Sequence, residues 1–270
     1  MIDYHLHTHH SVDAVTTMES AVATALVKGA REVGLADHLE FDPRDRGYRA
    51  LDGKSYLDEG RNLAQRLKEQ LTVRVGVEAG EPHLHRDDLQ AFTDRYQVDF
   101  VLGAIHWVGD HLVGTEGFFR EHSQPMRPYL ESVREMVLGG DLDVLAHLDF
   151  PARYMIERGQ KWDPIKDRDL VEEILRLILE RDISLEVNSA GYRRGLGRPQ
   201  PPVEVLRWYR DMGGEMITVG SDAHRDQDVL SGVEASLEIL DQLGYRTLTG
   251  FCHREPYSVS MSDLTGPGGA

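Results

Sequence analysis

The feature that most limits what this chain can fold into is an alternation. Short, nearly all-apolar runs occur seven times: MIDYHLH, EVGLADH, LTVRVGVEAG, DFVLGAIHWV, LDVLAHLDF, DISLEVNSAG and EMITVGSDAH. Between them lie longer stretches with helical character. These are MESAVATALVKG behind a Thr17 cap, SYLDEGRNLAQRLKEQ, RPYLESVREMVLGG, DRDLVEEILRLILERD, PPVEVLRWYRDMGG and VLSGVEASLEILDQLG. In DRDLVEEILRLILERD the apolar residues return at i, i+3, i+4 and i+7, one stripe of a helix. Strand-then-helix units imply a parallel sheet. Runs apolar at successive positions imply that both sheet faces are covered. An open doubly wound sheet and a closed barrel both satisfy this pattern.

The reactive residues narrow the choice. Six of the seven runs end in a potential metal ligand: His5 and His7, His38, Glu78, His106, His147, and Asp222 with His224. Side chains two apart on a strand share a face, so His5/His7 and Asp222/His224 can each present two donors to one place. In a parallel βα fold the C-terminal ends of the strands gather on one rim, the rim that carries active sites in barrels. Any one of these histidines is equally explained as a core residue bonded to a backbone carbonyl. The repetition at six strand ends, from thirteen histidines in all, is not. Imidazole and carboxylate without thiolate suit Zn²⁺, Mn²⁺ or Fe²⁺. So many donors exceed one coordination shell and call for two or three ions, a grouping able to activate water toward a phosphoryl centre.

Composition removes other classes. A formal net charge of −16 is a poor match to nucleic acid, whose phosphates demand clustered Lys and Arg. No apolar run approaches the ~20 residues of a membrane span, and no signal peptide is expected. The single cysteine, Cys252, excludes an internal disulfide framework and fits a reducing, cytoplasmic setting.

The set HLHTHHSVD, ADH, GVEAG, GAIH, AHLD and GSDAH resembles the polymerase-and-histidinol-phosphatase (PHP) superfamily. EVNSAGYRR and DFVLGAIHWV look most like its histidinol-phosphate phosphatase branch. The resemblance implies a distorted, TIM-like (β/α)7 barrel with parallel strands and outer helices, spanning residues 1–258 as a single domain. It also implies a trinuclear centre. One ion would take His5, His7, Glu78 and Asp222. A second would share Glu78 and add His106 and His147. The third would take His38, His224 and either Asp13 or His10, with Asp13 at the family's spacing. Two arginines, Arg153 in AHLDFPARY and Arg193 in NSAGYRRGLGR, would clasp the substrate phosphate, for which a planar guanidinium fork is suited. Arg194 and Arg198 read as surface residues.

The implied activity is metal-dependent hydrolysis of a small phosphate monoester. L-histidinol phosphate, from histidine biosynthesis, is the expected substrate. Glu78, Asp222 and His224 would hold a metal-bridging hydroxide as nucleophile. The alternatives are a phosphodiesterase or exonuclease of the same superfamily, a phosphatase acting on phosphotyrosine or another small ester, and a non-catalytic metal-binding module. No nucleic-acid or membrane partner is expected, and oligomeric state is not legible.

His9 and His10 read as solvated or supporting residues, and His83 and His85 as solvated. Trp107 reads as packing beside the pocket. The polar loop FDPRDRGYRALDGKSY is placed on the active rim, where loops often carry specificity. Residues 259–270 read as a flexible tail.

Overall fold

The computed structural model describes residues 1–264. Its strands are β1 (Ile2–Leu6), β2 (Glu32–Leu35), β3 (His38–Leu39), β4 (Thr72–Val75), β5 (Val77–Gly80), β6 (Val101–Ala104), β7 (Trp107–Val108), β8 (His111–Leu112), β9 (Val144–Leu145), β10 (Ser184–Asn188), β11 (Ile217–Gly220), β12 (Thr247–Cys252) and β13 (Glu255–Ser260). One parallel sheet has the order β1-β2-β4, and a second has the order β11-β10-β9-β6-β5-β3. The two are continuous through the chain, because β2 leads into β3 and β4 into β5 with a bend between.

The remaining seam is closed by β1 and β11. Leu6 and Ala223 form a parallel bridge. His7 N donates to Ala223 O at 2.9 Å, and Ala223 N donates to His5 O at 3.3 Å. Buried Asp3 reinforces the seam by accepting from Ser221 N at 2.8 Å and Leu230 N at 3.0 Å. Seven parallel strand runs therefore follow one another around a ring, a distorted (β/α)7 barrel, as the alternation implies.

Seven helices follow the runs in turn: Met18–Val27, Gly53–Leu67, Arg86–Tyr96, Met126–Gly139, Arg168–Glu180, Val203–Asp211 and Val233–Gln242. Thr17 caps the first by accepting from Ser20 N, and Asp52 caps the second by accepting from Lys54 N and Ser55 N. Such caps satisfy amide groups that the first helical turn leaves without partners. Helix Arg168–Glu180 turns Leu170, Val171, Ile174, Leu175 and Ile178 inward as a single stripe. Among the described residues no helix is long and apolar enough to cross a membrane.

The antiparallel hairpin β12–β13 is an element that the strand–helix alternation does not contain. It covers the rim where strands begin. Phe251 N donates to Tyr4 OH at 2.9 Å, and Arg254 pairs with Asp141 at 2.7 Å and Asp143 at 2.9 Å, just before β9. This corrects the expectation of a loose tail from residue 259. Val259 pairs with Leu248 and Ser260 with Thr247, while Met261 and Leu264 are buried. The rest of that segment, 265–270, lies outside the described residues.

Gly76 marks the bend between β4 and β5. A Cβ there would lie 2.6 Å from three atoms of the Phe100 ring, itself fully buried against Tyr4. Overpacking of this kind costs about 1–3 kcal/mol. Gly76→Ala should therefore lower the urea midpoint by that free energy with an unchanged m-value, measured by equilibrium denaturation.

Candidate metal centre

The rim opposite the hairpin is built from strand ends. β1 delivers His5, and His7 lies just beyond it on the same face; both are fully buried. The following turn is held by Asp37, also fully buried. It accepts from Thr8 N and Thr8 Oγ1, each at 2.7 Å, and from Ser11 Oγ at 2.5 Å. Ser11 Oγ in turn accepts from His38 N at 3.0 Å, so one carboxylate aligns the ends of two strand runs. Beyond β9 and β11, His147 (φ 42°) and Asp222 (φ 53°) adopt left-handed backbone, a costly conformation for non-glycine residues that clusters at functional sites. Gly220 leaves necessary room, since a Cβ there would sit 2.5 Å from His5 Cβ and from Glu186 Oε1.

All nine expected ligands come together. Glu78, 1% exposed, is the hub. Its Oε1 is 2.8 Å from His147 Nε2, 3.5 Å from His5 Nε2 and 3.6 Å from His106 Nε2. Its Oε2 is 2.9 Å from His38 Nδ1 and 3.5 Å from His7 Nε2. Asp222 Oδ1 lies 3.6 Å from His7 Nε2 and 3.5 Å from His224 Nδ1. Asp13 Oδ2 lies 3.5 Å from both His38 Nε2 and His224 Nε2. Between Asp13 and His10 the geometry favours Asp13, because His10 instead reaches Glu59 at 2.9 Å.

The donor set fits divalent ions. His5 Nε2 and His7 Nε2 are buried without a hydrogen-bond partner, a costly state for polar atoms. Nitrogen–oxygen separations of 3.5–3.6 Å exceed a hydrogen bond. They approach the ~3.4 Å expected of two donors sharing one tetrahedral ion at about 2.1 Å. The charges point the same way. Burial favours a neutral Glu78, yet His5 and His38 beside it, with nearby His106 and the hydrogen-bonded His147, hold it well below the usual carboxylate range. Burial likewise opposes ionisation of Asp222, but Arg153 and His5 outweigh it and hold its pKa well down. Burial disfavours charge on His5, and Glu186, Glu78 and Asp222 reverse that, raising it well above normal. His7 goes the other way, well below normal, through burial and the neighbouring His224 and His38. A buried cluster of carboxylates beside partnerless imidazole nitrogens offers the donor set of a candidate cation site.

A cavity of about 290 Å³ opens over the cluster, with Glu78, His106, His147, Asp222 and Arg153 in its wall. Arg153 is 4% exposed. Its Nη1 donates to Asp222 Oδ2 at 3.0 Å and its Nε to Gln200 Oε1 at 3.1 Å, while its Nη2 has no partner. Arg193 Nη2 donates to Asp222 O at 3.0 Å, but this residue lines a neighbouring cavity with Arg194, Arg225 and Asp228. Asp222 and His224 belong to both walls, so the two arginines flank the centre from different sides. Arg194 is exposed yet lines both cavities, which a plain surface reading misses. Arg198 is held by Asp149 at 2.8 Å. Trp107 lines the main cavity beside Arg44, Asp45, Arg46 and Gly47 of the polar loop, its Nε1 donating to Asp45 at 3.0 Å. His83 is half-buried instead of solvated, and burial pushes it down to about 4.

The chain has relatives of similar sequence and fold among known proteins. The PHP domain model matches residues 3–190. A histidinol-phosphatase of Lactococcus lactis is 25% identical over 259 residues, covering 93% of this chain and 94% of the relative. A Thermotoga maritima protein named "Probable histidinol-phosphatase" is 28% identical over 248 residues, covering 92% and 94%. Among solved structures, the L. lactis histidinol phosphate phosphatase complexed with zinc, L-histidinol and phosphate superposes with a TM-score of 0.85 at 23% identity. It covers 95% of this chain and 98% of its own.

Two buried carboxylates behind the histidines are absent from the sequence reading. Glu186, on the one run credited with no ligand, sits 2.6 Å from His5 Nδ1. Glu40 sits 2.8 Å from His106 Nδ1. Each orients a ring so that its other nitrogen faces Glu78, the role that outer carboxylates play around metal-bound histidines. The available signal was a glutamate inside the apolar SLEVN, since a buried charge requires a partner. Glu186→Gln should weaken metal retention about 10–100-fold while leaving the fold intact, as measured by chelator competition alongside circular dichroism.

Proposed function

This chain belongs to the PHP domain family, and on that premise we propose that it hydrolyses L-histidinol phosphate to L-histidinol and phosphate, using two or three divalent ions held on the barrel rim. The observation that carries the reading is the position of Arg153. It is a buried guanidinium with an unused Nη2, in the wall of the same cavity as the donor cluster. The substrate assignment is supported by likeness to the L. lactis histidinol-phosphatase over 93% of the chain.

His5, His7, Glu78 and Asp222 would hold one ion, Glu78 with His106 and His147 a second, and Asp13 with His38 and His224 a third. Zinc, manganese and iron all suit this donor set. Bound there, such ions supply Lewis acidity that activates water and neutralises charge on the phosphoryl oxygens.

The protein's own groups do the rest. Arg153 offers its free Nη2 to a phosphate oxygen while Asp222 and Gln200 fix the plane of its fork. Arg193, on the far side of Asp222, offers Nη1, which also lacks a partner. Burial lowers the pKa of Arg193 from its ordinary value against the pull of Asp222 and Asp228, which marks it as a cation short of counter-charge. Such fixed donors stabilise a more highly charged phosphorane-like transition state without reorganising. Phe150, whose ring lies under Arg153 at 4.5 Å, and Tyr154 give the cavity an apolar wall for the rest of the ester. About 290 Å³ suits a small molecule.

After loading with Zn²⁺ or Mn²⁺, phosphate release should be fastest from histidinol phosphate in a panel with tyrosine phosphate, AMP and a phosphodiester. Cleavage of oligonucleotides without release from any monoester would overturn the reading. Arg153→Ala and Arg193→Ala should each raise KM about 10–100-fold, the equivalent of a charged hydrogen bond worth about 1.5–3 kcal/mol. An unchanged KM removes that arginine from the phosphate site.

A further inference from the structure

His9 and His10 stand outside the centre described above. Both rings lean from the turn after β1 toward helix Gly53–Leu67, where they meet one carboxylate oxygen. His10 Nε2 is 2.9 Å from Glu59 Oε2, and His9 Nε2 is 3.7 Å from the same atom. The ring centroids are 4.3 Å apart. One donor atom from each of the three residues lies within 4.8 Å of the other two.

A plain histidine–carboxylate hydrogen bond accounts for His10 but not for His9, whose Nε2, 3.7 Å from the same oxygen, is beyond hydrogen-bond distance. Among the described residues Glu59 has no lysine or arginine within ion-pair distance, and nearby Arg66 is engaged by Glu19 at 2.8 Å. A divalent cation resolves the arrangement, because it uses two neutral imidazole lone pairs and the carboxylate together. Two histidines and one glutamate leave a coordination position for water, as in open zinc sites. Here the open side is toward solvent, with His9 44% and Glu59 35% exposed and His10 only 10%.

We propose that His9, His10 and Glu59 form a peripheral divalent-cation site, distinct from the central cluster, that takes one borderline ion such as Zn²⁺. Being more exposed, it binds more weakly than the buried centre. Its occupancy ties the turn that carries His7 to the helix packed beside it. Binding only to the folded state, the ion raises thermal stability in proportion to its saturation.

The test is a metal titration of the metal-free full-length protein. Zn²⁺ is added against a chromophoric chelator, and Co²⁺ is followed by its visible absorption. Wild type should take up one more equivalent than His9→Asn or Glu59→Gln, and that equivalent should be the first a mild chelator removes. Excess Zn²⁺ should raise the Tm of wild type and not of the variants. Phosphatase activity with the central ions loaded should be the same in all three. Equal stoichiometry and equal Tm response in wild type and His9→Asn, an exposed position that does not endanger folding, would overturn the proposal.

Discussion

A carboxylate taken out of water costs several kcal/mol unless compensating charge is buried with it. Glu78 is 1% exposed, and the barrel answers that cost with imidazoles from four other strand runs. None of those imidazoles is local in sequence. His147 is 69 residues away and His5 is 73 in the other direction, so the stabilisation exists only when the ring of strands has closed. Closure in turn depends on the seam between β1 and β11, where Asp3 accepts from two amides. The scaffold and the site are therefore one electrostatic object: the seam aligns β1 with β11, and the alignment places His5 and His7 against Asp222.

This coupling accounts for the irregular backbone at the strand ends that carry the ligands. The runs bend after Leu35 and at Gly76, and His147 and Asp222 take left-handed conformations just past their strands. Regular strands would carry these side chains along the barrel wall. The departures bring them over its mouth, at a local cost that the cluster of opposite charges offsets. The other rim has no such demand. There the β12–β13 hairpin covers the strand starts, with Arg254 joined to Asp141 and Asp143.

What was legible in the sequence follows the same division. The strand runs could be read because burial on both faces forces continuous apolar stretches, and eight ligands at six strand ends because chemistry punctuates those ends. Asp13 was readable only as one of two choices, since turn conformation decides whether it or His10 faces His38. Glu186 left a trace, an acid inside apolar SLEVN, but neither its partner nor Glu40's was readable, because each holds another residue's second nitrogen, a relation that exists only across the folded ring. The hairpin was missed for a related reason. Residues 247–260 carry no helix between them and so fall outside a strand–helix alternation, and the glycine- and serine-rich end resembled a loose tail. Its order comes from partners such as Tyr4 and Asp99, hundreds or scores of positions earlier.

The average charge and the local charge of this molecule carry different information. At −16 the surface repels polyanions at long range, which counts against an extended nucleic-acid footprint. Around the mouth arginines are concentrated among the carboxylates, with Arg44, Arg46, Arg153 and Arg194 lining one cavity and Arg193, Arg194 and Arg225 the other. Screening confines the outer field to about 8–10 Å at physiological salt, so a small phosphate ester that reaches the mouth responds to these arginines more than to the distant acids. A long polyanion would leave most of its charge over the acidic exterior. The acidic shell and the arginines at the mouth thus bear differently on a small ester and on a polymer, before any contact that distinguishes one ester from another.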